Sequence, residues 1–272
     1  MKSKIKLNDV PKIAHVQEMI FNSCETYKDK LALEDLQQYP INKVTFTQLK
    51  ENILKFGKSL KSLGIKERTH IALIGDNRVQ WSISYLTLMS FNYVVVPIDK
   101  NLTNNEIINI IYESDSEAVI FSDSFANFFS ENKSVLKKLR LFISMDNANT
   151  TENFLSMKEL IDKQNIGDTT VLPHINPEDM AEIIFTSGSL GRAKGVMLSQ
   201  KNLATNLMDM LGMLMMYPHD RFLSVLPIHH TYECTCGMLC PLYAGSSIHY
   251  ARSLKSVADD MQKVKATIVL GV

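Results

Sequence analysis

The sequence predicts an α/β protein with mainly parallel sheets and flanking helices. Short apolar, β-branched runs alternate with longer segments whose apolar residues recur at spacings of three and four. The 272 residues are 45% hydrophobic and 21% charged, an ordinary composition for a chain long enough to bury a sizeable core. No internal repeat or low-complexity linker interrupts the alternation.

Residues 31–35 and 43–46 read as a hairpin around Tyr39-Pro40. A helix follows over Thr47 to Leu63, with Leu49, Ile53, Phe56 and Leu60 on one face and Gly64 as its C-cap. His70 to Ile74 is a strand, Val79 to Phe91 a helix and Tyr93 to Val96 a strand. Thr103, with Glu106 three residues on, is a capping box that opens the next helix. Ala118 to Phe121 is a strand. From Ser122 to Asp179 the pattern weakens, leaving a strand over Leu139 to Ser144 and an exposed loop over Asn147 to Asn153. Ala181 to Phe185 is a strand and Ser199 to Met216 a helix. Met208, Leu211 and Met215 on that helix read as core. Strands follow at Phe222 to Leu226, Ser247 to Tyr250 and Thr267 to Leu270.

Composition excludes several classes. Twenty-nine basic and 29 acidic residues give zero formal net charge, which argues against broad binding to nucleic acid or anionic membrane. Four cysteines make no disulfide framework. The basic N-terminus lacks the apolar core of a signal peptide, and no apolar run approaches the roughly 18 residues of a membrane span. The expectation is a cytoplasmic protein, with peripheral membrane contact left open.

The most informative segment is Ile183 to Val196, I-I-F-T-S-G-S-L-G-R-A-K-G-V. An apolar strand enters a loop of small, hydroxylated and glycine residues, followed by Lys194 and, on this reading, a helix. Gly188 and Gly191 let backbone N–H groups turn toward an anion. Thr186, Ser187 and Ser189 add hydroxyls, and Lys194 adds a charge for a polyphosphate. A plain turn would need neither the lysine nor three hydroxyls. The loop is not a Walker motif, because Ala193 and Gly195 stand where a glycine and a Ser/Thr are required. Nor does G-x-x-G match the dinucleotide fingerprint.

This loop resembles the phosphate loop of the adenylate-forming superfamily, which includes acyl-CoA synthetases, with Ala193 replacing the usual proline. Three further segments resemble the same family in the same order: V-T-F-T-Q-L-K to L-K-S-L-G-I, H-I-A-L-I-G-D-N-R-V-Q-W, and Y-V-V-V-P-I-D-K-N-L-T. Leu226 to Tyr243, L-P-I-H-H-T-Y-E-C-T-C-G-M-L-C-P-L-Y, resembles the family's L-P-x-x-H segment at the acyl pocket. The resemblance makes His230 a catalytic and pocket residue, and His230-x-x-Glu233 the long-chain variant, with Glu233 also in the pocket. His229, His230, Cys234, Cys236 and Cys240 match no standard zinc spacing, so no protein-held metal is expected.

The resemblance implies an enzyme that converts a medium- or long-chain fatty acid and ATP into an acyl-adenylate, then passes the acyl group to a thiol such as coenzyme A. It implies a first α/β subdomain over 1–176. Residues 177–272 carry the phosphate loop and the start of an acyl-pocket subdomain. Segments expected to hold Mg²⁺, the ribose and a catalytic lysine are not found, so the chain reads as the N-terminal half, truncated, and inactive alone. Two alternatives are a non-catalytic nucleotide- or acyl-binding module and a carrier-protein ligase of the same superfamily.

Overall fold

The computed structural model describes residues 8–37, 42–146, 154–165, 172–186 and 194–271. In chain order the strands are β1 (Leu31–Asp35), β2 (Lys43–Thr45), β3 (His70–Ile74), β4 (Val94–Ile98), β5 (Ala118–Phe121), β6 (Leu141–Ser144), β7 (Leu155–Ser156), β8 (Met180–Thr186), β9 (Lys194–Ser199), β10 (Arg221–Ser224), β11 (Ser247–Tyr250) and β12 (Ile268–Val269). The helices are α1 (Val16–Tyr27), α2 (Phe46–Ser62), α3 (Val79–Ser90), α4 (Asn104–Glu113), α5 (Ala126–Asn132), α6 (Met157–Asp162), α7 (Gln200–Met213), α8 (Cys240–Ala244) and α9 (Val257–Val264). A π-helical segment, Glu233–Leu239, runs directly into α8.

The strands form two sheets, one ordered β12-β10-β11-β1-β2 and the other β7-β6-β5-β3-β4-β8-β9. Pairing is parallel except for the edge hairpins β1–β2 and β8–β9. Both sheets draw on residues from either side of position 176.

Helices cover the larger sheet on both faces, and its strands alternate accordingly. Ile71, Leu73, Val95 and Ile120 enter the core shared with the smaller sheet, whereas Ala72, Ile74, Val96 and Phe121 pack into a second core with α4 and α5. Every residue of α3 is buried, which places that helix in the interior. Its N-terminus is tied to the smaller sheet by Asp35 of β1, whose carboxylate accepts the Val79 N–H. Burial pushes the Asp35 carboxyl up to about 8, against the opposing hydrogen bond from Val79.

The capping box at Thr103 and Glu106 is present, and Gly64 takes φ +80° after α2. The Met-rich helix departs from expectation. α7 stops at Met213, and Leu214 is already extended. Leu211 is core and Met208 packs against it, but Met213 and Met215 are on the surface.

One glycine fixes how closely α2 approaches the turn after α3. A Cβ at Gly57 lies 2.0–2.3 Å from the ring of Phe91, which is itself 1% exposed. Gly57→Ala is therefore expected to destabilise the chain by about 2 kcal/mol through overpacking, despite alanine's better helix propensity. Urea unfolding checks this; an unchanged or raised midpoint contradicts it.

Candidate active site at the carboxyl ends of the strands

In open α/β sheets, ligands bind beyond the carboxyl ends of parallel strands. A cavity of about 580 Å³ sits there. Gly75 to Asn77 after β3, Lys100 and Asn101 after β4, and Val225 to Pro227 after β10 line it, as do Ala251 to Leu254 after β11. Four connections from two sheets thus converge on one space.

Asn77 holds the two sheets together at this point. Its Nδ2 donates to Ser224 Oγ (3.1 Å) and to the Leu226 carbonyl (2.6 Å), and its Oδ1 accepts from Ile228 N (3.0 Å). One carboxamide therefore fixes the start of the L-P-I-H-H segment. Lys100 pairs with Asp76, and both line the cavity.

The phosphate loop is placed by its ends. β8 lies parallel to β4, so Thr186 emerges at the carboxyl edge, where Lys194 faces it across the ladder. Both side chains are exposed. Ser187, Gly188, Ser189 and Gly191 lie outside the described residues. The expected helix after Lys194 is corrected: Lys194–Ser199 is an antiparallel edge strand, and the loop joins a hairpin. Gly195 explains the pairing. It sits opposite Phe185, and a Cβ there meets Ile183 Cγ2 at 2.9 Å and the Phe185 ring at 3.3 Å, so only glycine lets the two strands close. α7 begins only at Gln200, after β9, and is capped by Ser199.

The two histidines take different positions. His229 lines the cavity, its side chain 18% exposed and its Nε2 3.6 Å from Asp99 Oδ2. Burial lowers its pKa, against the pull of Asp99, which favours a neutral imidazole. His230 is exposed, and its Nδ1 accepts from Tyr232 N at 3.3 Å. Glu233 is 1% exposed and turned inward, Oε1 accepting from Ser224 Oγ at 2.5 Å while Oε2 has no partner among the described residues. Burial pushes its carboxyl up to about 7. Gly237, one turn on, leaves room for that carboxyl, since a Cβ there sits 2.6 Å from it.

The same segment fronts a second cavity of about 360 Å³, lined by Thr231, Cys234 and Thr235 together with Leu198, Leu203 and Glu182. Glu182, in the middle of β8, is 3% exposed and accepts from Tyr85 Oη at 3.3 Å. Burial pushes its carboxyl up to about 8, with the Tyr85 hydrogen bond opposing. A carboxyl so raised holds its proton more tightly in the folded chain. Its contribution to stability is complete below its ordinary value of 4.5 and is lost as pH rises through about 8. Glu182→Gln, which mimics the protonated form, is expected to match the parent at about pH 4 and to exceed it by ~4–5 kcal/mol at about pH 9. Urea titrations followed by Trp81 emission measure this. A stability difference that does not change with pH contradicts it.

Sequence reasoning missed Asn77 and Glu182 as site residues. The signals were an asparagine directly after a buried strand's Gly-Asp turn, and a lone acid inside the apolar run M-A-E-I-I-F. Among the described residues no group of three or more His, Cys, Asp or Glu side chains is arranged to hold a metal, and all four cysteines are free and buried. No helix among them is long and apolar enough to cross a membrane.

Comparison with known proteins shows the fold and family to which this site belongs. The chain is 29% identical to a chloroplastic long-chain-fatty-acid acyl-carrier-protein ligase of Arabidopsis thaliana, over 92% of this chain and 37% of that protein. It is 27% identical to long-chain-fatty-acid CoA ligase 5 of Rattus norvegicus, over 84% of this chain and 36% of the rat protein. The chain thus spans under two-fifths of the length of these relatives. Its fold superposes on a long-chain-fatty-acid CoA ligase from Archaeoglobus fulgidus with a TM-score of 0.85 at 20% identity, covering 98% of this chain and 53% of that one. It also superposes on ATP-bound MatB from Rhodopseudomonas palustris with a TM-score of 0.78 at 21% identity, covering 95% and 49%. The family model for AMP-binding enzymes matches residues 20–272, and the chain belongs to that family.

Proposed function

We propose that this chain is the part of an AMP-forming acyl ligase that grips the ATP phosphates and begins the acyl pocket. One observation carries the reading: Thr186 and Lys194, the two ends of the Gly/Ser/Thr-rich segment, stand at the same carboxyl edge as a cavity lined by Leu226, Pro227 and His229 of the L-P-I-H-H segment. The substrate carboxylate attacks the α-phosphorus of ATP and expels pyrophosphate, forming the mixed anhydride. Donors from Thr186, Ser187, Gly188, Ser189, Gly191 and Lys194 hold the β- and γ-phosphates and stabilise the departing charge. A thiolate, such as that of coenzyme A, then attacks the acyl carbon and releases AMP.

Asn77 has a positioning part in this scheme, because it fixes Leu226 to Ile228 and so sets where His229 and His230 stand. His230, exposed and next in sequence to the cavity-lining His229, is the histidine assigned to meet the substrate carboxylate. Glu233 supports the same segment from below through Ser224. The second cavity takes the acyl chain, and its lack of any basic lining residue argues against a diacid.

Mg²⁺ accompanies the ATP, and its protein ligands belong to a further segment of the ligase. Residues 1–272 alone hold the leaving group without holding the α-phosphate and carboxylate in line, so alone they have no turnover. The test supplies the intact ligase with ATP, magnesium, a fatty acid and coenzyme A. AMP, pyrophosphate and acyl thioester in equal amounts are expected. Release of ADP and phosphate, or an amino acid as best substrate, contradicts the reading.

A further inference from the structure

The wall of the second cavity carries a residue that a plain hydrocarbon pocket does not need. Glu182 is the sole acid in β8, is 3% exposed, and faces a cavity with no lysine, arginine or histidine among its lining residues. Its one hydrogen bond within the described residues is a long one, from Tyr85 Oη at 3.3 Å. Thr235 and Cys234 lie beside it on the buried side, and Asn202 and Asn206 form an exposed rim. A buried acid with neither a cation nor a full set of hydrogen bonds costs stability, and a site of this kind is retained where a ligand completes it.

The position of Glu182 along the strand sets the scale. It lies four residues before Thr186, at which β8 enters the phosphate loop, or ~13 Å at the rise of a β-strand. An acid whose carboxylate reacts at the loop therefore reaches Glu182 with the far end of a medium-length chain. The cavity, at about 360 Å³, lies at the small end of the roughly 300–1,000 Å³ range of ligand sites.

We propose that the acyl pocket selects medium-chain acids bearing a hydroxyl or keto oxygen at the far end, with the neutral Glu182 carboxyl donating its hydrogen bond to that oxygen. This deepens the acyl-ligase reading above and rests on it. The raised Glu182 carboxyl, held up by burial, supports the neutral form at neutral pH. A neutral acid is a donor as well as an acceptor, and pairing it with a ligand oxygen removes the cost of leaving it under-satisfied. A saturated long chain leaves that cost in place and overruns the cavity.

Trp81 supplies the readout. It is the chain's single tryptophan and stacks on Tyr85 with ring centroids 5.4 Å apart, so a ligand at Glu182 perturbs its neighbour's emission. The experiment titrates the chain, without ATP, with decanoate, ω-hydroxydecanoate and ω-aminodecanoate. The ω-hydroxy acid is expected to bind about tenfold tighter than decanoate, the effect of one hydrogen bond in a buried site. Glu182→Gln keeps that preference because the amide still donates, and Glu182→Leu abolishes or inverts it. Equal binding of the hydroxy and plain acids overturns the inference, as does a preference that survives in Glu182→Leu. Tightest binding of the ω-amino acid overturns it too, by making Glu182 a counter-ion. Absence of binding by any acid has the same consequence. Because ATP is absent, these outcomes are separate from turnover by the intact ligase, which tests the reading beneath.

Discussion

Replacing Lys194 by alanine in the intact ligase is expected to lower kcat/KM for ATP by roughly 10²–10³-fold while leaving the unfolding midpoint unchanged. The magnitude is that of removing one preorganised donor from a site of developing charge. The structure makes the two halves of this expectation separable. Lys194 begins the edge strand β9, is exposed, and has no ion-pair partner among the described residues, so nothing among those residues depends on its ammonium. Its backbone stays in register with Thr186 whatever the side chain. Lys194→Arg keeps the charge but not the compact geometry, and recovers only part of the activity. Unchanged ATP kinetics in Lys194→Ala remove the loop from the mechanism, and a large fall in midpoint assigns the lysine to the fold.

Asp146→Ala is expected to cost about 3 kcal/mol, lowering Tm by roughly 6–12 °C. Arg78 stands at the N-terminus of the buried helix α3 with its side chain 1% exposed, and both its terminal nitrogens donate to Asp146, at 3.0 and 2.8 Å. Removing the carboxylate leaves that guanidinium buried without its bidentate acceptor. The same oxygen, Oδ2, also accepts from Asp123 N, so the loop after β5 loosens with it. A double replacement, Arg78→Met with Asp146→Leu, is expected to be more stable than Asp146→Ala alone, because it removes the buried charge with its partner. Thermal unfolding followed by Trp81 emission distinguishes these. A single variant within about 0.5 kcal/mol of the parent shows that the pair contributes only at the level of a surface ion pair.

Local signals in the sequence marked the central elements well. Those at 70–74, 118–121 and 247–250 are strands with the expected bounds, because strands buried on both faces read as unbroken apolar runs. What the sequence hid was pairing at long range. The hairpin at 31–45 joins a sheet whose other strands come from 221–269, and no local pattern encodes a partner more than two hundred residues away. The β9 strand was hidden for another reason. Its residues K-G-V-M-L-S continue into a capped helix, and only the packing of Gly195 under Phe185 declares it a strand.

The candidate site was legible in its chemistry and less so in its geometry. On the proposed reading, the glycines, hydroxyls and lysine of the loop are the signal for a bound anion, and the L-P-I-H-H motif the signal for a pocket. The sequence does not distinguish His229, which lines the cavity, from exposed His230. Nor does it show that Glu233 turns inward to Ser224. A shift of one residue in a turn swaps which side chain faces the cavity, and that shift is decided by Asn77, some 150 residues earlier in the chain.

The most direct test of the central claim is acid-dependent exchange of labelled pyrophosphate into ATP by the intact ligase, without coenzyme A. Adenylate formation is reversible, so an acyl-adenylate mechanism predicts exchange that needs a fatty acid, needs no thiol, and falls roughly 10²–10³-fold in Lys194→Ala. Exchange that is absent, independent of the acid, or untouched by the lysine replacement contradicts the assignment of this chain to acyl activation.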